Sequence, residues 1–174
     1  MAEQPQITEA LKLLCDSMLA RLGRCLRAAS YDTEIAEPSE HDRELLARAI
    51  QEDRLLLTCD RGITERREAS GRVVVLPSNG LDRTARYLTN RLQINWLLRP
   101  FSRCLVDNSP LRPAKPKELC RLPQRARAIG SKEVFMCPLC DRIYWRGSHV
   151  RRMYTQLNKW QNIPPADSAV VIES

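Results

Sequence analysis

The sequence predicts an α/β fold on a central parallel sheet, with a small C-terminal cysteine-bearing module behind it. Three observations carry that expectation. Two apolar runs, Leu11-Lys12-Leu13-Leu14-Cys15 and Arg54-Leu55-Leu56-Leu57-Thr58-Cys59, each end in an aspartate, Asp16 and Asp60, and lead into a helical pattern. Continuous apolar runs closed by a charge are the mark of strands buried on both faces. A further run, Val73–Leu76, is apolar throughout. Between these runs lie segments with apolar residues at helical spacing, and strands alternating with helices build parallel sheets.

In chain order, Leu11–Cys15 reads as the first strand. Ser17–Ala29 comes next as a helix with Met18, Leu19, Leu22, Cys25 and Leu26 on one stripe and Arg21, Arg24 and Arg27 interleaved. Tyr31–Ala36 is the second strand, and Pro38-Ser39-Glu40-His41 punctuates the chain before the helix Asp42–Gln51. The third strand, Arg54–Cys59, leads to a basic helix over Ile63–Ala69. Val73–Leu76 is the fourth strand, closed by Pro77-Ser78-Asn79-Gly80, and Leu81–Leu92 is another amphipathic helix. A first domain is therefore expected over residues 10–100.

Beyond it the pattern changes. Pro110, Pro113, Pro116 and Pro123 break up long periodic segments. Arg103-Cys104 and Cys137-Pro138-Leu139-Cys140 bracket this stretch, then Ile143–His149 runs into a basic helix, Val150–Trp160. Residues 101–160 read as a ribbon-like module with a basic C-terminal helix, and 161–174 as a loose tail.

Composition narrows the function. The chain has 174 residues and a formal net charge of +7, carried largely by arginine, whose planar fork suits phosphate. No apolar run is long enough for a transmembrane helix, so no membrane partner is expected. Met1–Gln6 lacks the charged-then-apolar pattern of a secretory signal, and seven cysteines, an odd number, suggest reduced thiols. The expectation is a cytoplasmic protein.

Two strands that each deliver an aspartate to the carboxyl edge of a parallel sheet suggest carboxylates converging on one cation. Asp42, in the first turn of its helix, is the third candidate. An ordinary helix-capping role also accounts for each of these acids taken singly. All-oxygen donors select Mg²⁺ or Mn²⁺ over zinc. Such an ion activates water and screens phosphate charge, which fits phosphodiester hydrolysis by a basic protein. Arg21, Arg24, Arg27, Arg61, Arg151 and Arg152, with Lys159, are candidates for gripping a phosphate backbone.

The pair Cys137-x-x-Cys140 is half of a zinc site. Cys104 fits the other half, but position 107 is Asp rather than Cys. The fourth ligand is left among Asp107, His149 and Cys120. Cys15, Cys25 and Cys59 read as small buried apolar residues.

Taken together, these residues resemble a known family, the PIN-like ribonuclease module at the carboxy terminus of the Mut-seven exonuclease, found also as free-standing prokaryotic proteins. The resemblance runs from about Lys12 to Lys159. It rests on Cys15-Asp16-Ser17-Met18-Leu19-Ala20-Arg21-Leu22, on Asp42-Arg43-Glu44-Leu45-Leu46-Ala47-Arg48-Ala49 and on Arg54–Arg61. Ser102-Arg103-Cys104, Asn108, Cys137–Cys140 and Tyr144–His149 complete it. It implies a PIN-like three-layer fold, a metal-dependent ribonuclease activity with Asp16, Asp42 and Asp60 as its acids, and an appended zinc ribbon. PIN-like domains often dimerise, so a homodimer is an expectation. Two positions depart from the pattern. Asp107 stands where the family has a ribbon cysteine, and Gly62 stands where many PIN relatives carry a further acid, leaving Asp82 as a weak substitute. These departures motivate an alternative, a non-catalytic RNA-binding or ribosome-associated adaptor with a protein partner. A metal-dependent phosphatase on a related fold ranks last.

Overall fold

Four strands, β1 (Lys12–Cys15), β2 (Asp32–Ile35), β3 (Leu55–Thr58) and β4 (Val73–Val75), form a parallel sheet in the order β2-β1-β3-β4. They belong to a computed structural model that describes residues 11–66, 69–126 and 133–162. Side chains alternate across the pleat. Leu13, Cys15, Leu57 and Val74 enter one buried cluster, while Leu14 and Leu56 enter another on the opposite face. The first is covered by α1 (Ala20–Ala28) and α3 (Leu81–Leu92), the second by α2 (Asp42–Gln51). The result is the expected three-layer α/β arrangement. Reversing the direction of travel along the sheet puts α1 and α2 on opposite faces, as right-handed crossovers require.

The apolar helix faces read from the sequence hold except at Met18, which is 68% exposed rather than core, and two elements are revised. The helix expected over Ser17–Ala29 opens as a 3-10 turn, Ser17–Leu19, because Leu19 N–H bonds back to Asp16 O at 2.8 Å. The basic helix expected over Ile63–Ala69 is instead a 3-10 turn, Gly62–Glu65, after which Arg66 is extended; residues 67 and 68 lie outside the described residues. Ile63 and Ala69 are the buried apolar residues there, too few for the stripe that sustains a helix. The expected tail, Ile163–Ser174, also lies outside the described residues. Among the described residues no helix is long and apolar enough to cross a membrane.

A small antiparallel sheet comes after α3, with β6 (Val134–Met136) between β5 (Arg112–Pro113) and β7 (Ile143–Trp145). It has its own core of Ala114, Leu122, Ala126 and Val134, against which Ile143 and Trp145 pack. The C-terminal helix α4 (Ser148–Gln161) then lies on α3 and α1, burying Leu157 and Trp160 in the first cluster. Trp160 donates to Asp82 at 2.8 Å, and Lys159 and Gln156 reach the same carboxylate. Three donors occupy Asp82, so it is no substitute for a missing site acid.

The ribbon segment also closes the free edge of β2, an edge that would otherwise expose unpaired backbone. Asn108 is buried, accepts from Thr33 N–H at 3.1 Å, and donates to Asp32 and Glu34. Beside it, Arg27 is 3% exposed. Its guanidinium donates to Thr33 O (2.7 Å), Leu105 O (3.2 Å) and Val106 O (2.6 Å) and faces Glu34 at 3.7 Å. The expectation that Arg27 grips a nucleic-acid backbone is therefore corrected: its donors are consumed inside the protein. Replacing Arg27 by methionine leaves three carbonyls short of a donor and Glu34 short of its partner. The substitution is expected to destabilise the fold by about 3 kcal/mol, read as a lower urea midpoint.

Candidate functional site

In a sheet ordered β2-β1-β3-β4 the chain leaves β1 for one side and later returns to the other, so the switch point lies between β1 and β3. Ligands of open α/β sheets bind in the crevice outside the carboxyl ends of the strands at that point. Asp16 comes directly after β1, and Asp60 lies two residues beyond the end of β3. The pairing of the two strands continues past β1, since Asp16 N–H bonds to Leu57 O at 3.0 Å. Thr58 then joins the two acid positions: its hydroxyl donates to Asp16 Oδ2 at 2.8 Å and accepts from Asp60 N–H at 3.0 Å. Thr58 is fully buried. Sequence reasoning misses it, although a hydroxyl in a leucine run two residues before a strand-end aspartate is the available signal.

The bonds each acid makes are local as well. Asp16 Oδ1 accepts from Ser17 Oγ at 3.3 Å and Met18 N–H at 3.4 Å, and Asp60 Oδ1 accepts from Gly62 N–H at 2.8 Å. The capping role is filled by Asp16, whose side chain caps the turn Ser17–Leu19 through Met18 N–H, whereas the turn after Asp60 is capped by Arg61 without a side-chain bond. Among the described residues Asp60 Oδ2 has no hydrogen-bond partner, and Asp60 is exposed. Asp42 is the first residue of α2, and the β2-to-α2 connection sets that helix start at the same carboxyl edge. Asp16, Asp42 and Asp60 are nonetheless not among the groups of three or more ligand atoms that lie within 4.8 Å of one another in the described residues. Direct ligands of one Mg²⁺ at about 2.1 Å sit closer together than that. Asp16 and Asp60 are the pair that the sheet joins through Thr58; Asp42 has no such connection to either.

The basic residues divide. Arg61 is exposed and, with Thr64, Pro77 and Tyr87, lines a pocket of about 470 Å³ beside Asp60. Arg21 and Arg24 on α1 and Arg151 and Arg152 on α4 are exposed and line one larger cleft of about 1370 Å³. Residues far apart in sequence are thus brought to a single surface. The ribbon adds Arg142 and Arg146 to the same cleft, two residues that sequence reasoning passes over.

A second cluster is tighter. Cys104, Asp107, Cys137 and Cys140 place one ligand atom each within 4.8 Å of the others. Cys104 Sγ and Cys140 Sγ are 3.6 Å apart, close to the roughly 3.8 Å between two thiolates on a tetrahedral ion with bonds of about 2.3 Å. Asp107 Oδ2 lies 3.0 Å from Cys137 Sγ. Backbone amides already point at the sulfurs, from Val106 and Asp107 to Cys104 and from Cys140 to Cys137, at 3.4–3.5 Å. These donors fit a small tetrahedral cation. Asp107 completes the group; His149 is exposed at the start of α4 and exposed Cys120 bonds to Lys117 O, neither belonging to it. Burial works against a charge on Asp107, yet hydrogen bonds from Cys140, Ser109 and Cys137 hold its carboxyl well below the usual range. Tyr144 donates to or accepts from Cys104 Sγ at 3.1 Å and takes Leu105 N–H on its oxygen, so it serves the ribbon's packing.

A family model described as the Mut7-C RNAse domain matches residues 11–157, most of the chain. No curated protein and no solved structure matches it.

The thiols of Cys15, Cys25 and Cys59 are all held in the neutral form more firmly than a free cysteine. Burial pushes Cys15 up to about 12, with Arg27 opposing and Asp16 adding slightly; burial likewise pushes Cys25 up to about 11. Burial and Asp16 also raise Cys59. The nucleophilic form is the thiolate, which burial disfavours at all three positions. Iodoacetamide at about pH 8 is expected to label exposed Cys120 while Cys15 and Cys25 stay unmodified until the protein is unfolded, as read by peptide mass spectrometry.

Proposed function

The chain belongs to the Mut7-C RNase domain family, and from that membership we propose that it is a metal-dependent ribonuclease hydrolysing RNA phosphodiester bonds at the carboxyl edge of its parallel sheet. One observation carries the reading: the two strand-end aspartates are tied together at the switch point through Thr58. Asp16 and Asp60 are the direct holders of a Mg²⁺ or Mn²⁺ ion, because all-oxygen donors suit a hard cation that keeps several of its waters. Bound there, the ion supplies positive charge against the phosphate and acidifies water.

The remaining work falls to the protein's own groups. Asp42, at the start of α2, orients the attacking water and accepts its proton. Thr58 fixes Asp16 Oδ2 in direction, so that the lone pairs left over face the crevice. Arg61, Arg21, Arg24, Arg151 and Arg152 offset the backbone charge of the substrate. Cys104, Asp107, Cys137 and Cys140 hold a structural Zn²⁺, whose part is to lock the ribbon against the sheet edge. One carboxylate among three thiolates makes that site weaker than four thiolates would.

A second reading has a specific observation behind it. Asp16, Asp42 and Asp60 do not close to within 4.8 Å of one another, which suits an RNA-binding adaptor that has kept the fold without the chemistry. Labelled-RNA product analysis separates the two, since the adaptor gives salt-sensitive binding and no metal-dependent products.

Asp16→Asn and Asp60→Asn are each expected to lower Mn²⁺-dependent cleavage by at least about 100-fold, with RNA affinity unchanged in a filter-binding assay. Unaltered turnover in either variant removes the assignment. For the ribbon, the purified protein is expected to carry about one zinc per chain by elemental analysis. Cys140→Ser should lose it, and Asp107→Cys should retain it at chelator concentrations that strip the wild type.

A further inference from the structure

A large cleft of about 1370 Å³ lies apart from the residues that line the pocket beside Asp60. It lies between α1 on one side and β7 with the start of α4 on the other. Six arginines from these elements line it: Arg21, Arg24, Arg142, Arg146, Arg151 and Arg152. Among the described residues no aspartate or glutamate lines it. Among the described residues none of the six makes an ion pair with a carboxylate, whereas Arg27, Arg48, Arg54, Arg72, Arg103 and Arg112 all do. The paired arginines hold the fold together. The unpaired ones repel each other across a concave surface, an arrangement that a polyanion relieves.

Two further features fit the same occupant. The helix α4 starts at Gly147 with no side-chain cap and no acid in its first turn, so its amino end adds positive potential to the cleft. Apolar surface from Leu81, Leu105, Val106 and Ile143 lies among the arginines, with Val106 exposed by 52%. Alternating apolar and cationic surface suits unpaired bases and their phosphates together. A duplex keeps its bases inside and presents a convex, charged cylinder, which a recess of about 1370 Å³ meets only at the rim.

We propose that this cleft is the seat of single-stranded RNA, with Arg142 and Arg146 of the ribbon as phosphate-binding residues that close it opposite Arg21 and Arg24. The inference rests on the ribonuclease reading for the identity of the polyanion. It gives the ribbon a task of its own: a metal-stabilised wall that holds the strand while the sheet edge carries the acids. Arg21 stands on α1, the helix that follows Asp16 and its 3-10 turn in the chain.

The test uses the full chain carrying Asp16→Asn, which separates binding from cleavage. Fluorescence anisotropy with a labelled, unstructured oligoribonucleotide of about 12 nucleotides is compared with a duplex of the same composition. Adding Arg142→Ala and Arg146→Ala is expected to weaken single-strand binding by about 10-fold and to reduce the log–log salt slope by about 1.4, the loss of two phosphate contacts on a single strand. The control pair, Arg83→Ala and Arg91→Ala, removes two exposed arginines of α3 outside the cleft and is expected to change affinity by less than about 2-fold. Equal losses in both pairs, an unchanged slope, or duplex binding as tight as single-strand binding would overturn the proposal. Parallel cleavage assays with Mn²⁺ in protein that retains Asp16 keep the two readings apart. Cleft-dependent binding without products would leave the cleft standing and remove the nuclease; products with normal binding in the Arg142/Arg146 variant would do the reverse.

Discussion

Parallel pairing between β1 and β3 is the constraint on which this structure turns. Leu13, Leu14 and Cys15 register against Leu55, Leu56 and Leu57, and both strands are apolar enough to be buried on two faces. Because the pairing is parallel, both strands end at the same edge, and the residues just beyond them are delivered to one place. Each strand has an aspartate there, Asp16 directly after β1 and Asp60 two residues after β3. The burial that fixes the register therefore also fixes the separation of the two acids, and Thr58 converts that proximity into a hydrogen-bonded connection. A slip by one residue would exchange the buried and opposing faces of a whole strand, so the acid pair inherits the rigidity of the core beneath it.

The ribbon is attached by a different kind of interaction. A charged guanidinium, Arg27, is buried between β2 and the loop after Cys104, with carbonyls on both sides. Asn108 extends the same contact along the edge of β2. Desolvating an arginine costs several kcal/mol unless its donors are met, and here they are met by groups from both the sheet and the loop. The arrangement is stable when the loop is in place and strained when it is not. The cysteine–aspartate cluster is part of the same loop: Cys104 and Asp107 flank the very carbonyls, of Leu105 and Val106, that Arg27 holds. Order at the cysteine cluster and order at the sheet edge are thus linked through two residues of backbone.

Charge in this protein is sorted by partner. Arg48, Arg54 and Arg112 are matched with glutamates or aspartates, as befits side chains that stabilise turns and strand ends. Those on the cleft have no such partners among the described residues. Six arginines thus gather without carboxylate partners where α1, β7 and α4 face one another.

The amino-acid sequence by itself determined the strands, the helix stripes and the acids at the strand ends. Those arise from local periodicity and from apolar runs whose burial requires no knowledge of neighbours. It also determined that Cys137 and Cys140 form half of a group that could hold a metal ion, since two residues of spacing set a knuckle. Tertiary structure alone decided the rest. Arg21, Arg24 and Arg27 lie on one helix at similar spacing, yet two face a cleft and one is buried, because only position 27 meets the incoming ribbon loop. The fourth member of the group is Asp107 and not His149, because Cys104 and Asp107 fold back on Cys137 while His149 opens a helix elsewhere. Asp82 is lost to the site because α4 covers it with three donors. Each of these outcomes depends on which surface arrives from far along the chain, and no local pattern carries that information.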